Sequence, residues 1–346
     1  MNSFNNINTV VEYIWIGGNQ ELRSKTRILY DLGTNDINEI PEWNFDGSST
    51  DQSSGEESEL ILKPKKLFMN PFRPSKKTNK NSIFVLVLCD VYCPDGTPHK
   101  TNTRVLADEI FNQAPGEEPW FGIEQEYFLI DDDDYNFLME SSYQGPYYCG
   151  NGNVNAYYRD IVETHMNMCI AAGVKIGGVN AEVAPCQWEY QIGPLEGIKV
   201  SDHLIVSRWI MERVSEMFNV TVCWHPKPFQ NLNGSGAHTN FSTKKMREDN
   251  GLTHIKEAIA KLKDNHISHM FLYGKNNDKR MTGNHETSSY NEFKFDINKP
   301  FNRGCSVRIG SDTINKKCGY FEDRRPAANM DPYLVTSKIF KTTCLD

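Results

Sequence analysis

The chain has 346 residues, enough for about two domains of ordinary size and for a sizeable buried core. Hydrophobic residues make up 38%, charged residues 24% and aromatics 11%, a globular profile that excludes a disordered or fibrous chain. Lys and Arg total 37 against 45 Asp and Glu, so the net charge is −8 with no dense basic stripe, and nucleic acid is not an expected partner.

Residues from Met1 to Thr9 are polar and Asn-rich and lack the apolar segment of a signal peptide. The stretches 10–16, 24–29, 59–63 and 83–92 are rich in β-branched and aromatic residues with turn-formers between them, and are predicted strands. Within the last of these lies the longest apolar run, Ile83 to Leu88, far too short to cross a bilayer, so no membrane association is expected. The polar run from Ser75 to Ser82 reads as a loop inside this strand-rich unit. Pro, Gly and Asn between 94 and 102 mark a boundary, which gives two expected domains, 7–97 and 103–346.

Beyond the boundary, helical patterns cover about 103–114, then 155–172 ended by Gly173, 202–218 with Ser201 as the expected N-cap, 252–264 and 332–343. The acidic run Asp131–Asp134 reads as a solvated turn, because no calcium-loop spacing surrounds it. Cysteines stand at 89, 93, 149, 169, 186, 223, 305, 318 and 344, an odd number with no CxxC pair. Neither a zinc ribbon nor a disulfide framework is indicated, and reduced thiols in a cytoplasmic protein are the expectation.

The segment FGIEQEYFLI (121–130) is a predicted strand. Side chains alternate faces along a strand, so Glu124 and Glu126 share one face roughly 7 Å apart. In NAEVAPCQWEYQIGP (180–194), a two-residue turn at Pro185 and Cys186 places Glu182 opposite Glu189. Like charges across a strand pair destabilise it unless something neutralises them. The apolar neighbours Val183, Trp188, Tyr190 and Ile192 indicate burial, where unpaired carboxylates are expensive. Four such Glu call for hard divalent cations, magnesium or manganese.

His238 follows a Gly-Ser-Gly turn whose backbone N–H groups are expected to approach an anion such as phosphate, although Walker-loop spacing is absent. Arg280, Arg303, Arg308, Arg324 and Arg325 crowd the last seventy or so residues. Guanidinium forks beside carboxylates that hold metal suit phosphate and carboxylate ligands, so spacing alone reaches nucleotide-driven phosphoryl transfer.

At this point several blocks resemble one family. FDGSST (45–50) followed by ESEL (57–60) resembles the N-terminal signature of glutamine synthetases, and KPFQNLNGSGAHTNFS (227–242) resembles their nucleotide-site signature. EWNFDGSST, GPYYCG, NAEVAPCQWEYQIGP, HETSS and GYFEDRRPAAN are similar to the eukaryotic, type II, enzymes in particular, and the likeness runs from about Glu12 to Leu345. The resemblance implies an α+β fold, with an N-terminal β-grasp-like domain and a larger catalytic domain built on a curved antiparallel sheet. It implies two stacked pentameric rings, a decamer with each site between neighbouring subunits. The implied reaction joins glutamate and ammonia using ATP through γ-glutamyl phosphate.

Carried over by motif, the resemblance assigns two or three Mg2+ or Mn2+ ions per site. One metal site takes Glu126, Glu182 and Glu189, and the other takes Glu124, His238 and Glu322. Arg303 and Arg308 are implied to hold ATP phosphates with Arg325 nearby, while Trp120, Ser242 and Tyr320 match positions near the nucleotide. Arg280, Arg324, Asn233 and Gly234 are implied at the glutamate, and Asp46, Ser49, Tyr148 and Glu286 at the ammonium. Asp46 would arrive from the adjacent subunit and accept the ammonium proton, and Glu286 would close the site against water. The chain departs from the family pattern at Leu232, where Trp is usual, at Gly310 and Ser311 in place of Pro and Arg, in CGNGNVNAYY, and in its short N-terminal tail. Two rivals are an amine ligase of the same fold and a silent assembly homologue, and the complete set of metal and phosphate residues weighs against the second.

Overall fold

The structure, a computed structural model, describes residues 7–73, 81–131, 138–140, 145–285 and 287–346. The chain forms two compact units. The first comprises residues up to Leu106 with Asn167–Val174 and Ile205–Ile210, and the second comprises Ala107–Met166, Lys175–Leu204 and Met211–Asp346.

The first unit carries a five-stranded sheet of β1 (Asn8–Ile16), β2 (Leu22–Leu29), β3 (Trp43–Asp46), β4 (Glu59–Met69) and β5 (Ser82–Tyr92) in the order β2-β1-β5-β4-β3. β1 runs parallel to the central β5, and the other pairs are antiparallel. Alternate residues of three strands meet on one face: Val11, Tyr13 and Trp15, then Leu60 and Leu62, then Val85 and Val87. β5 also buries Leu86 and Leu88 on its other face, which explains its near-continuous apolar run. β4 extends past the predicted 59–63 because a bulge between Pro64 and Lys66 absorbs the residue that cannot donate to the ladder. The four-residue edge strand β3 was too short to show in the pattern. Most of the polar run 75–82, and all of the acidic run after Asp131, lies outside the described residues.

In the second unit an antiparallel sheet runs β11-β12-β10-β6-β8-β7, with β9 also paired to β6. Its strands are β6 (Trp120–Ile130), β7 (Ile176–Ala181), β8 (Gln187–Glu196), β9 (Thr221–Cys223), β10 (Ala237–Ser242), β11 (Val307–Arg308) and β12 (Phe321–Asp323). The longer helices are α1 (Thr103–Phe111), α2 (Arg159–Ala172), α3 (Lys199–Phe218), α4 (Gly251–Asp264) and α5 (Pro332–Phe340). Helices segregated from largely antiparallel sheets match the expected α+β class.

Helix ends follow local chemistry in most places. α2 stops where Gly173 takes φ +83, a left-handed position that glycine occupies without strain. α5 opens with Pro332 in its first turn, and the Asp331 side chain accepts from the Tyr333 and Leu334 N–H groups. α3 departs from expectation. It begins at Lys199, and Ser201 lies fully buried inside the helix, its hydroxyl facing the Pro332 carbonyl and Thr336 at 3.1 Å. A tertiary partner on α5 claimed the side chain that local sequence had offered as a cap. None of the described helices is long and apolar enough to cross a membrane.

Leu62 is fully buried among the apolar residues of the first sheet. Leu62→Ala should cost about 2–5 kcal/mol through lost transfer energy and a residual cavity. A denaturant titration should show an earlier unfolding midpoint, and an unchanged midpoint would mean that this face contributes little.

Candidate active site

β6 is the spine of the site. Its Glu124 lies opposite His238 of β10, and its Glu126 lies opposite Glu189 of β8. β12 joins on the far side of β10, where Glu322 pairs with Asn240 and with Arg308 of β11. Antiparallel pairing therefore gathers residues distant in sequence into two groups. Glu126, Glu182 and Glu189 form one, and Glu124, His238 and Glu322 form the other, each with ligand atoms within 4.8 Å of one another.

The crowding of like charge expected across the strands is present, but between different partners. Pro185 and Cys186 do sit in a turn, with Cys186 at φ +60 and the Gln187 N–H on the Ala184 carbonyl. The hairpin closes beyond that turn, at the Glu182 N–H to Gln187 carbonyl bond, and the ladder pairs Asn180 with Glu189. Glu182 is thus offset from Glu189 along the hairpin, and the carboxylate directly across from Glu189 is Glu126. Four loop residues in place of two moved the register by one side-chain period.

Burial, followed by repulsion from neighbouring carboxylates, pushes Glu126, Glu182 and Glu189 up to about 8. His238 is held well below its ordinary value by burial and by Arg324, so it is a neutral imidazole. Its Nδ1 lies 3.4 Å from Glu124 and 3.5 Å from Glu322. Five carboxylates and one neutral imidazole, two of them buried face to face without a counter-charge between them, are a donor set that fits divalent cations with oxygen preference.

The Gly-Ser-Gly turn does different work from that expected. The Ser235 N–H goes to the Pro226 carbonyl and the Gly236 N–H goes to Glu126 Oε2 at 2.6 Å, so these donors are not free for phosphate. The glycines serve close approach instead. A Cβ at Gly234 would lie 2.4 Å from the Pro226 carbonyl, and one at Gly236 would lie 2.9 Å from Arg280 and from His238. Leu232 fills an apolar cluster with Phe128 and Phe229.

A cavity of about 330 Å³ opens over both carboxylate groups. Arg280, Arg303, Arg308 and Arg324 line it, as do Tyr148, Asn233 and Gly234. Arg308 and Arg324 clamp Glu322 at 2.7 and 2.6 Å. Arg280 is fixed by bonds from Nη2 to the carbonyls of Arg324, Arg325 and Pro326, and burial pulls it down to about 10. The Asn233 side-chain oxygen is buried without a hydrogen-bond partner. Tyr148 hydrogen-bonds Arg303, and burial raises its phenol.

A second, more apolar cavity of about 400 Å³ shares Glu124 with the first. Trp120, Ser242 and Tyr320 line it together. So does Arg247, which sequence reasoning missed. Its guanidinium lies 4.1 Å over the Trp120 ring and donates to Ser242 and to the Glu118 carbonyl. The only local signal was Thr243, which caps the short helix Lys244–Arg247 that aims this side chain.

The structure does not bring Arg325 to either cavity. Arg325 is fully buried on the opposite face of β12 from Glu322, paired with Asp323 at 2.7 Å. Asp46 belongs to the first unit, where it caps a short helical turn and accepts from Ser48 and Ser49. Those bonds hold its exposed carboxyl at about 2, so it is ionised across the physiological range. Glu286 lies outside the described residues; its neighbours His285 and Thr287 line the first cavity.

Comparison with known proteins agrees along the whole chain. A family model described as glutamine synthetase, catalytic domain, matches residues 100–344, and one described as glutamine synthetase, beta-Grasp domain, matches residues 8–94. A putative glutamine synthetase of Acanthamoeba polyphaga mimivirus is 50% identical over 341 residues, spanning 97% of this chain and 94% of that protein. Glutamine synthetase cytosolic isozyme 2 of Glycine max is 48% identical over 345 residues, with the same coverage. A chloroplastic glutamine synthetase of Brassica napus is also 48% identical, over 97% of this chain and 78% of that protein. Among solved structures, a cryoEM Plasmodium falciparum glutamine synthetase superposes with TM-score 0.74 at 16% identity, covering 99% of this chain and 72% of that one, a shared fold. The architecture is a β-grasp domain followed by a catalytic α+β domain.

The raised carboxyl groups predict how stability responds to pH. In the unfolded chain they titrate near the ordinary glutamate value of about 4.5, whereas in the folded, metal-free protein they titrate at about 8. Their contribution is therefore fully present below pH 4.5 and lost as pH rises through 8. Divalent cations neutralise the ionised groups, so chelation should lower the melting temperature more at pH 8 than at pH 6. Equal losses at both pH values would contradict the assignment.

Proposed function

The chain belongs to the glutamine synthetase family, and on that premise we propose that it joins ammonia to L-glutamate using ATP, giving L-glutamine, ADP and phosphate through γ-glutamyl phosphate. One observation carries the reading at the site. Glu124 lines both an apolar slot framed by Trp120 and Tyr320 and an arginine-rich cavity over two carboxylate groups, so a nucleotide base and a polar acceptor have adjoining places.

The slot would hold the adenine, with Arg247 and Tyr320 at its sides and Ser242 at its edge. Glu126, Glu182 and Glu189 would hold one Mg2+ or Mn2+ ion, and Glu124, His238 and Glu322 another, two or three ions per site. Bound cations would supply Lewis acidity and a template for the phosphates and the γ-carboxylate. Arg280 and Arg324, with Asn233 and Gly234, would orient glutamate so that its γ-carboxylate oxygen lies in line with the terminal phosphorus. Arg303 and Arg308 would stabilise charge on the transferred phosphoryl group as ADP leaves. Arg325 would act at a distance, bracing the end of β12 through Asp323, between Glu322 and Arg324.

Asp46 of the adjacent subunit, with its Ser49, would join Tyr148 in binding ammonium and would take its proton, and the lowered pKa of Asp46 keeps it anionic for a cation. Ammonia nitrogen then attacks the acyl carbon and phosphate departs. Glu286 would shield the acyl phosphate from water. We place the domain boundary between 97 and 103. We also assign self-association into stacked pentameric rings with sites shared between subunits, and a cytoplasmic location in line with the cytosolic isozymes among its relatives.

Purified protein with ATP, magnesium and glutamate should release phosphate only when ammonium is added, with glutamine formed in equal amount. Preference for an alkylamine or polyamine would change the acceptor, and silence from folded protein would remove the activity. Arg247→Ala should raise KM for ATP about tenfold, as expected for a lost stacking contact of about 1–2 kcal/mol, and leave KM for glutamate near the parent value. A rise confined to glutamate would take the nucleotide out of the apolar slot.

A further inference from the structure

We propose that Asn180 and Gln191 form an amide relay that positions the carboxylates of the Glu126–Glu182–Glu189 group and biases that site toward small octahedral cations over calcium. The inference rests on reading this group as a cation site, and it assigns a task to two neutral side chains that hold no ligand themselves.

The relay follows from the register of the β7–β8 hairpin. Asn180 lies opposite Glu189, and Gly178 lies opposite Gln191. Gln191 Nε2 donates to Asn180 Oδ1 at 2.9 Å and also to Glu189 Oε1. Asn180 Nδ2 donates in turn to Glu182 Oε1 at 3.0 Å. A primary amide has two N–H donors, so Gln191 spends both on this chain. Its own carbonyl oxygen lies against Gly178, where an added Cβ would come within 2.6 Å. The glycine is the space into which the amide fits, beside the bulge between Ile176 and Gly178.

The third carboxylate is held in the same manner from another direction, by the Gly236 N–H on Glu126 Oε2. Every member of the group thus has an oxygen committed to a fixed donor, and Glu182 has both, because its Oε2 accepts from the Val183 N–H at 3.2 Å. A carboxylate engaged in this way cannot turn to offer a cation both oxygens, and so ligates through a single atom. Mg2+ and Mn2+ accept single-oxygen ligation in tight octahedral geometry, whereas Ca2+ draws six to eight oxygens and commonly takes carboxylates through both. Freed of its donor, each carboxylate can rotate to offer both oxygens. The relay therefore acts on selectivity as well as on affinity, through ligands that it orients.

The test uses the full chain stripped of divalent cations, with Mn2+ as the probe, followed by the electron paramagnetic resonance of the free ion, and Ca2+ as competitor. Gln191→Leu removes both donors at similar volume. Gly178→Ala leaves every donor in place and displaces only the Gln191 amide, so it keeps the question open should the first variant fold poorly. Each should weaken one class of Mn2+ site by about 10–100-fold and shift competition toward Ca2+, while a second class, at Glu124, His238 and Glu322, stays at the parent affinity. Variants that bind both ions as the parent does would overturn the relay. Equal weakening of Mn2+ and Ca2+ would reduce it to scaffolding and overturn its role in selectivity. Failure of the parent itself to bind Mn2+ would instead overturn the reading of the carboxylate group as a cation site.

Discussion

Carboxylates buried against one another are the constraint on which the rest of the catalytic unit depends. Glu126 and Glu189 face each other across adjacent strands, with Glu182 close by, in surroundings that hold all three near pH 8 before they ionise. Such an arrangement is expensive in a protein that binds nothing there, because buried like charges cannot be relieved by water. Much of the surrounding architecture can be read as accommodation: a backbone N–H aimed at Glu126, amides aimed at Glu182 and Glu189, and guanidinium groups lining the wall across the cavity.

β12 shows how the sheet transmits that order. Its alternation, carried on past the end of the strand, sends Glu322 and Arg324 toward the cavity and Asp323 and Arg325 into the interior. On the inner side Asp323 receives Arg325 through two nitrogens and the Tyr273 hydroxyl at 2.7 Å. Tyr273 continues to His269, and His269 to Thr342 near the C-terminal end of the described chain. Arg325 also reaches His266, whose other nitrogen meets the Tyr290 carbonyl. A fully buried ion pair is weak evidence of net stability, yet with its hydrogen bonds satisfied it permits one arrangement only. The segment that presents Glu322 and Arg324 is thereby held from behind.

The apolar slot and the polar cavity illustrate a division of labour between adjoining surfaces. Apolar and aromatic groups set the shape of one, and paired charges set the field of the other. Glu124 belongs to both, held by Asn240 at 2.9 Å, so a ligand reaching from slot to cavity must pass it. Gln191 also lines both, and the shared wall couples where a base would sit to where phosphates would meet cations.

Much of this was legible in the order of residues. Alternation along 121–130 placed Glu124 and Glu126 on one face, the apolar run at 83–92 marked a strand, and Gly173 marked the end of a helix. These are local matters, decided by a period of two or by a backbone angle that only glycine takes freely. Other features were decided only in three dimensions. The partner of Glu189 depended on a loop two residues longer than the tightest hairpin. Ser201 lost its expected capping role to contacts on α5, the Gly-Ser-Gly donors were claimed by Glu126 and Pro226, Arg247 reached Trp120 from a short helix, and Arg325 turned inward. Each outcome is a competition between a local preference and a partner distant in sequence, and only the folded chain brings such partners within reach. The sequence by itself determined which chemical groups this protein carries and on which faces they stand; the tertiary structure decided which of them meet.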